Sequence, residues 1–103
     1  MAWPFTTPAA GPTDFAGPGA VVPTAVTEIG GGVARWLLGV HFINTGSVER
    51  TVTVTNTAGA TVWKETIQPG SGSLPYSPTF EPSTGLKWSV DAGTDVVGHV
   101  WGY

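Results

Sequence analysis

The chain has no cysteine, so neither a disulfide nor a thiolate metal site is open to it, and its fold rests on packing and hydrogen bonds alone. It is also short of charge. Charged residues make up 11 % of the chain against ~25 % in an ordinary soluble domain, so the solvent face has to be built largely from fifteen threonines, six serines and fifteen glycines. Its only cations are Arg35, Arg50, Lys64 and Lys87, and the formal net charge is −3, which argues against nucleic acid as a partner because that affinity grows with the number of Lys and Arg contacts to phosphate. No apolar stretch approaches the roughly 20 residues of a membrane helix, and no basic residue precedes the first apolar ones as in a signal peptide. The expectation is a chain that is soluble before assembly and does not meet a membrane.

Catalytic sets are missing too. His41 and His99 are the only imidazoles, and both fall in the middle of apolar, strand-like runs where a histidine more often packs and hydrogen-bonds than ligates. Ligand spacing for a metal is absent. The carboxylates Asp14, Glu28, Glu49, Glu65, Glu81, Asp91 and Asp95 are scattered singly, whereas a glycosidase needs two facing each other across a cleft. Gly70-Ser71-Gly72-Ser73 lacks the strand-to-helix setting of a catalytic or phosphate-binding loop. The chain reads as a non-enzyme without a cofactor.

What is present is a two-residue rhythm. From Leu37 to Gln68, apolar residues recur at alternate positions and turn residues close each run. Leu38, Val40 and Phe42 share one face of an extended segment, with Trp36 in phase, and Asn44-Thr45-Gly46-Ser47 reverses the chain. In Arg50-Thr51-Val52-Thr53-Val54-Thr55 valines and threonines separate onto opposite faces, Asn56-Thr57-Ala58-Gly59 turns again, and a third strand carries Val62, Trp63 and Ile67. This predicts a β-meander of three consecutive antiparallel strands. Gly39 in the middle of the first predicts a bulge or bend.

Around it, Val21 to Ile29 has strand composition, with Pro23 implying an edge or an irregular start, and Gly30-Gly31-Gly32 a turn. Pro69 to Pro82 reads as a short edge strand and a long crossing loop, with Leu74, Tyr76 and Phe80 its only large apolar residues. Gly85 to Asp91 alternates with Leu86, Trp88 and Val90 inward, and Trp88 is expected among Trp36, Val40, Val54 and Val90. Asp95 to Tyr103 is apolar on both faces, so it is either central or covers an interface. The fold class expected is all-β: an antiparallel β-sandwich or jelly-roll-like barrel of about seven strands in residues 21–103.

Residues 1–20 contain four prolines and one charge and predict an extended Pro/Gly-rich arm. Its Trp3, Phe5 and Phe15 either fold back onto their own domain or dock on a neighbour. Trp63, Trp101 and Tyr103, with Tyr76, are the other aromatic candidates for contact with a partner, because amphipathic rings serve both protein interfaces and sugar stacking.

The arm, the hairpin Phe42-Ile43-Asn44-Thr45-Gly46 with Arg50-Thr51-Val52-Thr53-Val54-Thr55, the Gly turn leading to Thr61-Val62-Trp63, Gly85-Leu86-Lys87-Trp88-Ser89-Val90 and the Gly-Tyr ending together resemble the small β-sandwich virion proteins of tailed bacteriophages, in particular capsid decoration (cement) proteins and related head or tail components. The resemblance spans Leu37 to Tyr103 and is one of rhythm and turn chemistry. It implies a non-catalytic protein, trimeric as a homo-oligomer, on the capsid surface, bound to the major capsid protein or another virion protein and stabilising contacts between capsomers. The second reading is a carbohydrate- or receptor-binding module of a phage fibre or extracellular protein. Tryptophans aligned on one sheet face would favour it.

Overall fold

The computed structural model describes residues 12–32, 36–74 and 85–103. They form seven strands: β1 Thr13–Val21, β2 Thr27–Ile29, β3 Leu37–Asn44, β4 Arg50–Asn56, β5 Thr61–Ile67, β6 Leu86–Val90 and β7 Val96–Gly102. All pairings are antiparallel, in a three-stranded sheet ordered β1-β7-β3 and a four-stranded sheet ordered β2-β6-β4-β5. The fold is an all-β sandwich.

The core lies between the sheets and follows from the alternation. Val52 and Val54 on β4, Leu86, Trp88 and Val90 on β6, and Val96 and Val100 on β7 are all buried, while the threonines between the β4 valines stay partly in water. The strand that is apolar on both faces, β7, is the central strand of its sheet. On it, Gly98 leaves the space that the Phe42 ring occupies. Trp88 is buried as expected, but against Phe42, with ring centroids 6.0 Å apart, and opposite Val54 in register.

Two expectations about the central meander need correcting. β3 and β4 are not paired, for β3 belongs to the three-stranded sheet and the chain crosses to the other sheet at residues 45–49; only β4 and β5 form a hairpin. The crossing is fixed by Asn44, which is not a positive-φ turn residue but the fully buried last residue of β3. Its Nδ2 donates to the carbonyls of Val48 (2.7 Å) and Ile67 (3.0 Å), and its Oδ1 accepts from the Gly46 amide at 3.0 Å. Second, the bulge at Gly39 is present as a register shift between Leu37 and Gly39, and it changes which residues face inward. An extra residue in a strand of period two turns everything before it to the other face. Leu37 is therefore fully buried, Leu38 lies half-out, and Trp36, expected in the core, is 42 % exposed.

The expected boundary between an arm at 1–20 and a sandwich at 21–103 also moves, because Thr13–Val21 is a strand paired along β7 and carries Phe15 into the core. Pro18 is tolerated because β1 is an edge strand whose ladder is irregular between Ala16 and Ala20, so no central N–H is lost. The strand expected over Val21–Ile29 is split by the turn at Pro23 into the end of β1 and the short β2. In the segment after β5, Gly72 makes a lone bridge to Ile43; residues 75–82 of the expected crossing loop, Tyr76 and Phe80 included, lie outside the described residues.

Candidate functional site

Two surfaces stand out from the threonine- and glycine-rich remainder. The first is the outer face of the β1-β7-β3 sheet. Because Gly102 and Leu37 face inward as register partners, the residues that flank them, Tyr103 and Trp36, face outward; their backbones hydrogen-bond to each other in both directions at 2.9 Å, which makes them a cross-strand pair on one face. Tyr103 is 39 % exposed. Two residues back along β7, Trp101 sits opposite Gly39, and its six-membered ring occupies the place where a side chain at Gly39 would be. The indole thus lies across the sheet, partly open to solvent.

Trp101 is continued by His99, the ring centroids 4.5 Å apart. His99 Nε2 donates to Asp14 Oδ1 on β1 at 2.5 Å, with the Asp14 side chain 54 % exposed. Across β7, His99 is the register partner of His41 on β3. Beyond them a shallow cavity of about 170 Å³ is lined by Pro18, Gly19, His41, Ile43, Val97, Gly98 and His99. One face therefore carries Trp36, Tyr103, Trp101, an imidazole–carboxylate pair and an apolar hollow in sequence. Among the described residues it bears no lysine or arginine; Arg35 lies outside them.

The second surface is the end of the sandwich formed by residues 22–26, 45–49 and 91–95. These loops are laced together: Val22 donates to Val96 O at 2.9 Å, Thr45 N to Asp95 O at 2.8 Å and Val90 N to Pro23 O at 2.9 Å. Arg50 Nε donates to Asp95 Oδ1 at 3.0 Å, and this bond holds the Asp95 carboxyl below its ordinary value against the opposing effect of burial. On this tied framework Val26 and Val48 project at 62 % and 53 % exposure, while Val21, also half-exposed, ends β1 opposite Val97.

The residues expected to bind a partner are distributed unevenly. Trp101 and Tyr103 share the aromatic face. Phe15 and Trp63 do not reach any surface usable for docking: both are 9 % exposed and belong to the core, Phe15 because β1 turns it inward and Trp63 because it stacks on Phe42. Trp3 and Phe5 lie outside the described residues. Sequence reasoning missed Trp36, His99 with Asp14, and the loop valines. The signal for Trp36 was Gly39 itself, since a bulge there reverses the phase of everything before it. Nothing in the sequence pairs Asp14 with His99 across 85 positions. Among the described residues, no three His, Asp or Glu side chains are grouped closely enough to hold a metal ion.

Comparison with family models, with curated proteins and with solved structures found no match to this chain.

Proposed function

We propose that the chain is a structural virion protein, a capsid decoration protein that docks on the outer surface of a phage head through the loop end of its sandwich and stabilises contacts between capsomers. The observation that carries this reading is the pair of half-exposed valines, Val26 and Val48, on loops held in place by backbone hydrogen bonds. Solvent-facing loops ordinarily carry polar residues, and an apolar tip on a pre-ordered frame loses little entropy on docking. Burying both valines contributes about 3 kcal/mol at the usual transfer values, roughly a hundredfold in affinity before ordering costs. Arg50 and Asp95 neutralise each other at this end, which leaves Glu49 and Asp91 at its rim as acidic groups for a partner to meet. The resemblance to decoration proteins supports the identity of the partner, the major capsid protein or another virion protein, and a homotrimer as the docking unit.

The test is co-sedimentation with particles stripped of the protein, alongside its mass in solution by light scattering. The full chain should pellet with particles, and Val26→Asp with Val48→Asp should abolish pelleting without changing the melting temperature. Undiminished pelleting of that double variant would overturn the loop end as the docking surface, and no pelleting of the full chain would overturn the virion reading.

A further inference from the structure

The aromatic face has a chemistry different from that of the loop end, and docking through the valines leaves it uncovered. We infer that the outer face of the β1-β7-β3 sheet is a binding site for a neutral glycan, with Trp36, Trp101 and Tyr103 as the stacking platform and Asp14 and His99 as the hydroxyl-binding groups.

A pyranose ring has an apolar face of C–H bonds and a rim of hydroxyls. A complementary site needs a flat aromatic surface beside hydrogen-bonding groups that remain accessible. Trp101 supplies the flat surface: only the absence of a side chain at Gly39 lets the indole lie down on the sheet. Trp36 and Tyr103 extend it, set beside each other by their mutual backbone bonds and about 7 Å further along β7. An interface built for a protein core tends to bury its rings and deplete charge at the centre. Here the platform runs into an exposed carboxylate that already holds an imidazole, Asp14 with His99, at 54 % and 29 % side-chain exposure. A carboxylate accepts from sugar hydroxyls, and an imidazole can accept or donate.

The hollow beyond His99, at about 170 Å³, is smaller than the ~300–1,000 Å³ of pockets that enclose a whole ligand, so it takes one ring or substituent of a longer chain laid along β7. The absence of lysine and arginine from the described part of this face, with Asp14 on its edge strand beside the platform, selects neutral over acidic sugars.

The experiment is titration of the full chain with soluble hexasaccharides of glucose, mannose, N-acetylglucosamine and, as the acidic control, galacturonic acid, followed by tryptophan fluorescence and calorimetry. Saturable binding of at least one neutral oligosaccharide is expected, weakened roughly tenfold or more by Trp36→Ala and by Asp14→Asn at unchanged melting temperature. Both side chains are exposed, so these variants should fold. Val26→Asp with Val48→Asp should leave sugar binding intact, which separates this site from capsid docking. The inference is overturned if no neutral sugar binds at millimolar concentration, if only the acidic one does, or if binding survives both face variants. It is equally overturned if Trp36→Ala abolishes particle binding while no sugar is bound, for then the face is a protein interface.

Discussion

Phe42 of β3 and Trp63 of β5 stack across the two sheets, ring centroids 5.1 Å apart and planes 25° from parallel. With Trp88 tilted against the same phenyl ring, three aromatic side chains from three strands share one contact at the centre of the sandwich. Trp63→Ala and Trp88→Ala should each cost about 3–5 kcal/mol, through lost transfer energy and the cavity left behind. A small domain has ~5–15 kcal/mol in all, so either change places the protein near its unfolding threshold. Urea unfolding followed by circular dichroism measures this; an unchanged midpoint for Trp63→Ala would return Trp63 to the surface and to partner binding.

A second prediction concerns Asn44, fully buried where the chain leaves one sheet for the other. Asn44→Leu keeps the volume but leaves the Val48 and Ile67 carbonyls and the Gly46 amide without their partner, and an orphaned buried polar group costs about 1–3 kcal/mol. The loss should exceed that of Asn56→Ala, whose Oδ1 accepts from Ala60 N in an exposed turn. Comparing the two variants by thermal melting checks the assignment.

How far the sequence discloses this fold depends on how local the determining physics is. Alternation in Arg50–Thr55 and Leu86–Val90 reports burial directly, because each residue's face depends only on its neighbours, and both strands face as expected. The β4–β5 hairpin is also local, closed by Asn56 and by Gly59 at φ 88°. Sheet membership is not local: the loop Thr45–Glu49 has the residues of a hairpin turn, and the bonds that hold it across the sandwich, Asn44 to Val48 and Ile67 and Thr45 to Asp95, join residues up to 50 positions apart. Of the candidate site, Trp101 and Tyr103 were legible from the two-sided pattern of the last strand. Trp36 was not, because a single bulge reversed its phase, and the partnership of Asp14 with His99 exists only through the pairing of the first strand with the last.

The Arg50–Asp95 ion pair gives a pH dependence of known sign. The hydrogen bond from Arg50 lowers the Asp95 pKa below 3.8 in the folded protein, so the unfolded chain takes up its proton first as pH falls. The stability the pair contributes is fully present above that ordinary value and is lost as pH drops through the folded one. The melting-temperature difference between the parent protein and Asp95→Asn should therefore be constant from neutral pH down to the carboxylate range and shrink below it. A difference that grows on acidification would show that Asp95 is not the group being stabilised.

The place of the first strand in the core decides the effect of truncation. A chain beginning at Val21 lacks Phe15, a core residue, and strips the ladder from one side of β7, leaving the central strand of a three-stranded sheet as an edge. Loss of a buried phenyl alone costs about 3–5 kcal/mol, and the exposed backbone of β7 would invite pairing with other chains. That truncation should be unfolded or aggregated at room temperature. A chain beginning at Pro12 retains β1, Phe15 and the Asp14–His99 pair, and should melt cooperatively. Phe15→Ala in the full chain supplies the intermediate case, destabilised but with the β1–β7 pairing retained. Circular dichroism melts of the three, with light scattering for aggregation, separate the contributions of ring and strand. If the chain from Val21 melted like the one from Pro12, β1 would be dispensable, and Asp14 could no longer be counted as a fixed part of the aromatic face.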